Sequence, residues 1–251
     1  MTGGSGLIAT NTRPLLAELG WQLRLLDATA PEVPPGPNEE FVEASILDRD
    51  AVEAACRGVD LVIHLAALSS ERPWADILSV NIDGTQRVLD AAQRAGVTRV
   101  LFASSVHAVG FLPLSEAADD EVSLPRPDTY YGVSKAAGEA LASLFADRFG
   151  MTIVSARIIS ASTEPLPERG RVFWFSPADV VRLFVAVSQL EGPGHRIVWG
   201  VSRGGDGVVD LSAGRAIGFD PVDDETAPGG DNELPGFIGG TFTELPLGGS
   251  W

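Results

Sequence analysis

Cysteine, basic charge and long apolar runs are the scarce features of this 251-residue chain. One cysteine, Cys56, excludes an intrachain disulfide, favours a reducing compartment and reads as a small buried apolar side chain. Lysine and arginine together number 18 against 34 acidic residues, a formal net charge of -16. With no basic stripe to offset it, a field of that sign argues against nucleic acid or an anionic membrane surface as partner. No apolar run reaches the ~18 residues of a membrane-spanning helix, and the first residues lack the basic and apolar regions of a secretion signal. The three histidines are too scattered for a metal site. A soluble cytoplasmic protein is expected, and 45% hydrophobic content suffices for the core of one domain over residues 1–251.

What is present alternates between strand and helix patterns. Leu23-Arg24-Leu25-Leu26, Val59 to Leu65, Arg99 to Ala103 and Ile153 to Ile159 read as strands, the later ones as apolar runs buried on both faces. Asp48 to Cys56 reads as a helix opened by a capping acid; Ile77 to Ala95 repeats apolar residues at three and four and stops at Gly96. The strongest helical pattern runs from Tyr131 to Phe149, with Val133, Ala136, Ala137, Ala140, Leu144, Phe145 and Phe149 expected on its buried side and Gly150 ending it. This order implies a doubly wound parallel sheet of the Rossmann kind, with ligands at the carboxyl ends of the strands. Residues 160–251 are expected to supply most of the substrate-binding portion.

Two motifs carry chemistry. Thr2-Gly3-Gly4-Ser5-Gly6-Leu7 is a glycine-rich turn running into the apolar-periodic Leu15, Leu16 and Leu19. Such a turn brings backbone close to a pyrophosphate, and the helix N-terminus beyond it offers free N–H groups and a positive dipole end. Its spacing, Gly3-x-x-Gly6-x-x-Ala9, departs from the usual glycine pattern, and 28 glycines make such a match weak alone. Asp27, at the end of the first strand pattern, suits a ribose 2′-hydroxyl and repels a 2′-phosphate, so NAD is expected over NADP. The second motif is Tyr131-Gly-Val-Ser-Lys135, preceded by Ser104-Ser105 at the end of an apolar run. Helical positions i and i+4 share a face, so phenol and ammonium can point into one cleft. A phenol titrates near ~10 unless a neighbouring cation favours the phenolate.

Together with His64-Leu65-Ala66-Ala67 and Asn81, these residues resemble the extended short-chain dehydrogenase/reductases, or NAD-dependent epimerase/dehydratases. The resemblance covers residues 2 to about 160. Within that family, Gly36-Pro37-Asn38, Glu71-Arg72-Pro73-Trp74, Val106-His107, Arg126-Pro127-Asp128, Trp174-Phe175-Ser176, Val198-Trp199-Gly200 and Gly239-Gly240-Thr241-Phe242 are similar to the uronate dehydrogenases. It implies oxidation of a hexuronic acid, galacturonate or glucuronate, by NAD at the anomeric carbon, giving an aldaro-lactone. Tyr131 would be the base, Lys135 would lower its pKa and hold the nicotinamide ribose, and Ser105 would orient the substrate hydroxyl. Gly3, Ser5, Gly6, Leu7, Asp27, Ser45, Ile46, Leu65, Ala66, Ala67 and Asn81 are the implied cofactor contacts. Ser69, Val106, His107, Ser160, Arg169 and Phe237 join Ser105 and Tyr131 as implied sugar contacts, with Arg169 on the C6 carboxylate and Phe237 near the pocket mouth. No metal is needed, and a homo-oligomer is expected.

Departures from the family pattern accompany these matches. About five apolar residues that usually precede the glycine loop are missing, so the first strand is expected to be truncated. Ser45 stands where an acid usually meets the adenine, and Val106 stands where an asparagine is common. Arg169 lies in a polar loop beside Arg171, where a solvated arginine is the default. His64 reads as a satisfied core or cofactor-adjacent residue, and Trp174 and Trp199 as packing residues. A sugar epimerase or dehydratase with the same tyrosine and lysine, a reductase of another small carbonyl compound, and a non-catalytic NAD-binding regulator remain alternatives.

Overall fold

The computed structural model describes residues 1–118, 124–165, 171–224 and 236–249. The strands are β1 Leu23–Asp27, β2 Glu39–Glu43, β3 Leu61–His64, β4 Arg99–Ser105, β5 Thr152–Ile158, β6 Ser160–Ala161, β7 Trp174–Phe175 and β8 Gly194–Gly200. β1 pairs with β2, β3–β4–β5–β8 pair in that order, and β6 pairs with β7, every pair parallel. Alternation of the side chains explains the apolar runs. Val100 on β4 packs with Val88, Ala92 and Phe145 on one face, while the next residue, Leu101, packs with Leu16, Leu183 and Phe184 on the other. Helices α1 Leu7–Glu18 and α6 Pro177–Gln189 cover this second face; α2 Arg49–Cys56, α4 Gly84–Arg94 and α5 Tyr130–Phe149 cover the first. The doubly wound arrangement follows from covering both faces of a parallel sheet.

Thr2 joins the two halves of the sheet. It bridges Leu26 on one side and His64 on the other, with Met1 O accepting from Leu26 N–H (2.8 Å), Thr2 N–H donating to Ile63 O (3.0 Å) and Thr2 O accepting from Leu65 N–H (3.2 Å). The glycine loop is therefore anchored directly on β1 and β3. Beside Thr2 lies a cavity of about 700 Å³ whose lining includes Met1, Leu23, Arg24, Leu61 and Ile63. The buried Met1 ammonium donates to Arg24 O at 2.7 Å, and burial lowers its pKa from 8.0 to about 6.

Helix signals map closely onto helices. Asp48 caps α2 by accepting from Asp50 and Ala51 N–H, Ser176 caps α6 ahead of Pro177, and Gly150 ends α5 at φ 67°. The region expected as one uniform helix over Ile77 to Ala95 begins earlier, at the short α3 Trp74–Asp76, and passes through a π-helical stretch, Ile77–Asp83, before α4. The buried side of α5 needs correction. Phe145 is buried, but Ala140, Leu144 and Phe149 are exposed and Val133, Ala136 and Ala137 half-buried. The buried face instead carries Tyr131, Ser134, Lys135, Gly138, Glu139 and Ala142. Polar residues turn inward because the site and a buried ion pair satisfy them. Glu139 takes a bidentate contact from Arg157 (2.9 Å to each oxygen) and the Ser104 hydroxyl at 2.6 Å.

Beyond β8, Val201, Val209, Leu211 and Ile238 pack against Val106, Val109, Phe173 and Trp199 in a third core cluster. α7 Ser212–Ala216 lies in this portion. The tail is pinned to the loop after β4 by Ile238 N–H to Leu112 O (3.0 Å) and Gly239 N–H to Gly110 O (2.9 Å). That docking carries the 3₁₀ turn Gly240–Glu244 to the carboxyl end of the sheet.

Candidate active site

A cavity of about 650 Å³ runs along the carboxyl ends of the strands, from the glycine loop to the N-terminus of α5. At one end it is built of backbone. Gly3 sits at φ 70°, and a Cβ there would lie 2.7 Å from Ala66 N, so both conformation and space require glycine. Gly6 opens α1 with no side-chain cap, leaving the first-turn N–H groups to face the cavity wall formed by Gly6, Leu7, Ile8 and Ala9. Asp27 accepts from Ser5 N–H and Thr29 N–H, both at 3.1 Å, which ties the end of β1 to the loop. Leu65, Ala66 and Ala67 after β3 and Ser45 and Ile46 after β2 complete this end. A glycine cradle, an uncapped helix N-terminus and an acid at the end of the next strand fit a dinucleotide.

The other end is polar and buried. Ser105 ends β4, Tyr131 and Lys135 come from the first turns of α5, and all three line the cavity. Thr129 caps α5 by accepting from Gly132 N–H at 3.0 Å, and Glu71, fully buried, accepts from Tyr131 N–H at 3.0 Å, so the start of the helix is fixed twice. Lys135 Nζ donates to Ala103 O at 2.7 Å and stands 5.5 Å from the Tyr131 ring centroid. Burial pushes the ammonium from 10.5 down to about 8, opposed by Glu139 one turn along. Lys135 is also the only lysine in the sequence. His107 Nδ1 contacts Asp128 Oδ2 at 2.8 Å, and its ring stacks on Phe242 with centroids 3.9 Å apart.

Residues 1–169 match the NAD dependent epimerase/dehydratase family. The chain belongs to that family. It is 38% identical over 258 residues to a uronate dehydrogenase of Agrobacterium fabrum, covering 98% of this chain and 97% of the relative, and 40% identical over 202 residues to one of Pseudomonas syringae pv. tomato, covering 80% and 73%. The crystal structure of uronate dehydrogenase from Agrobacterium tumefaciens superposes with a TM-score of 0.87 at 37% identity, over 98% of this chain and 96% of that one.

Of the family residues expected from sequence, Gly3, Gly6, Leu7, Asp27, Ser45, Ile46, Leu65, Ala66, Ala67, Ser69, Ser105, His107, Tyr131 and Lys135 line the one cavity. Five others lie outside its lining. Ser5 donates its hydroxyl to Thr29 O at 2.5 Å. Asn81 binds Leu68 N–H (2.8 Å), Leu68 O and Ser134 Oγ (3.0 Å each), holding the loop after β3 against α5. Val106 is buried in the third core cluster, and Ser160 is buried on β6 between the lining residues Ile159 and Ala161. Phe237 sets its ring against Phe111 (5.5 Å) away from the cavity, whereas Phe242, five residues on, lines it. Arg169 lies outside the described residues. Phe242, Ile158, Ile159 and Ala161 are lining residues that the motifs do not single out as contacts. Among the described residues no cluster of potential metal ligands occurs, and no helix is long and apolar enough to cross a membrane.

His64 is a structural member of the site. Its Nδ1 is 2.7 Å from Thr2 Oγ1 and its Nε2 3.0 Å from Thr85 Oγ1, whose hydroxyl donates to Asn81 O at 2.5 Å. Thr85 must therefore accept at His64, which places the ring proton on Nε2 and leaves Nδ1 to accept from Thr2. Burial, with Lys135 adding repulsion, drives the pKa of His64 from 6.5 to about 3.

Proposed function

We propose that this protein oxidises a hexuronic acid, galacturonate or glucuronate, at the anomeric carbon to an aldaro-lactone. A bound NAD would supply the hydride acceptor for the anomeric C–H bond. The supporting observation is the side-by-side lining of Ser105, Tyr131 and Lys135 at the buried end of a cavity whose other end is the glycine cradle. The α1 N-terminus and Gly3 suit the pyrophosphate, Asp27 the adenosine ribose hydroxyls, and Ser45 and Ile46 the adenine side. Lys135 has further protons beyond the one given to Ala103 O, enough to bind a ribose hydroxyl while its charge favours the Tyr131 phenolate. Tyr131 then takes the proton of the anomeric hydroxyl, and the C–O bond becomes the lactone carbonyl as the hydride departs. Ser105 Oγ, already accepting from His107 N–H at 3.2 Å, holds the sugar oxygen against the phenol. Arg169 is assigned to the C6 carboxylate on the family resemblance. Tyr131→Phe tests the reading: NADH formation from a hexuronate should fall ~10²–10⁴-fold while NAD still binds. Turnover at the wild-type rate would remove Tyr131 from the mechanism.

A further inference from the structure

His107 is held on three sides. Phe242 stacks on one face of its ring at 21°, Tyr131 meets it edge-on at 5.7 Å, and Nδ1 faces Asp128 Oδ2. The Asp128 side chain is wholly buried, and Gly110, Gly132 and Gly239 close around it so tightly that a Cβ on any of them would strike its carboxylate at 3.0 Å or less. Its second oxygen, Oδ1, accepts the Thr129 hydroxyl at 2.9 Å, and Thr129 Oγ1 is itself occupied by Gly132 N–H. With Oδ1 taking the Thr129 hydroxyl, the 2.8 Å contact at Oδ2 is assigned as His107 Nδ1–H donating to the carboxylate oxygen. Nε2 is then the polar ring atom left without a protein partner among the described residues, on a side chain that lines the cavity.

We propose that Asp128 is a positioning residue for substrate recognition: it locks the ring plane and the tautomer of His107, so that Nε2 is presented as an acceptor for a sugar hydroxyl. The hydroxyl's identity as part of a hexuronate rests on the function proposed above; the tautomer lock does not. Asp128→Asn is nearly isosteric, and its amide oxygen can take the Thr129 hydroxyl as the carboxylate Oδ1 does. The amide NH₂ then faces Nδ1, the proton moves to Nε2, and an acceptor becomes a donor.

Nitrogen-15 NMR of the cofactor-free enzyme, in which only three histidines resonate and His107→Gln identifies one of them, reads the tautomer directly. The wild type should show His107 protonated at Nδ1, opposite to His64, and Asp128→Asn should show it protonated at Nε2. With saturating NAD, the variant should raise the hexuronate KM roughly tenfold, the loss of about one hydrogen bond, with kcat within about twofold and NAD affinity unchanged. A wild-type His107 protonated at Nε2 would overturn the proposal even if no variant folds. So would a variant with the inverted tautomer and an unchanged KM. If the wild type oxidises no hexuronate, the proposed function fails, and the NMR result still decides the lock on its own.

Discussion

Acidification should weaken this fold through His64 in a way that a single substitution isolates. The ring is buried and neutral in the folded protein with a pKa of about 3, against 6.5 when exposed. Between those two values the unfolded chain binds a proton that the native ring refuses, so stability falls as pH falls from 6.5 towards 3 and levels below it. The slope is about 1.36 kcal/mol per pH unit, giving about 3 kcal/mol by pH ~4.5 and about 5 kcal/mol at the acid limit, a third or more of a typical domain's stability. Carboxylates titrate over the same range, so the informative quantity is the difference between wild type and His64→Gln. The glutamine keeps a donor towards Thr85 and cannot acquire the charge. Urea unfolding of both proteins at several pH values from 6.5 to 4.5 should give curves that converge as pH falls, the wild type losing stability faster by roughly 1 kcal/mol per unit. Parallel curves would mean that the Thr2–His64–Thr85 chain accommodates an imidazolium, and the buried neutral assignment would be wrong.

Lys135, as the only lysine, should react with an amine-selective reagent with a midpoint near its pKa of about 8, and saturating NAD should protect it; modification rising only near pH 10 would contradict its burial. Glu139→Ala removes the carboxylate from the buried ion pair with Arg157 and should cost about 3–5 kcal/mol by denaturant unfolding, far more than loss of an exposed pair would. Asp27 should make kcat/KM with NAD at least tenfold higher than with NADP, and Asp27→Asn should narrow the ratio; equal efficiency in the wild type would remove Asp27 from the ribose site.

Legibility in the sequence followed the range of the interaction. Tyr131 and Lys135 share a face by helical geometry, and Asp27 ends the strand that follows the glycine helix, so local rules suffice for both. Asp128 and His107 are 21 residues apart, and Glu71 reaches Tyr131 from 60 residues away. No periodicity encodes either pairing. Phe237 and Phe242 flank a turn in which Gly240 takes φ 58°, and only that turn decides which ring reaches the cavity. The strands β2 and β8 lie at the sheet edges and carry Glu39, Glu40, Glu43, His195 and Arg196, so they lack the apolar signature of β4 and β5. The inward polar face of α5 defeats an apolar-stripe reading for the opposite reason, since its charges are neutralised inside.

The most direct measurement is steady-state NADH formation from galacturonate and glucuronate beside galactose and glucose, with wild type, Arg169→Ala and Arg171→Ala. A uronate should be oxidised far more efficiently than its neutral counterpart, and Arg169→Ala should lower that efficiency about 10- to 150-fold, the worth of one hydrogen bond to a charged group, while leaving the neutral sugar and the Arg171 variant nearly unchanged. Equal efficiency of the wild type on uronates and aldoses, or no NADH from either uronate, would contradict the assignment of a hexuronate dehydrogenase.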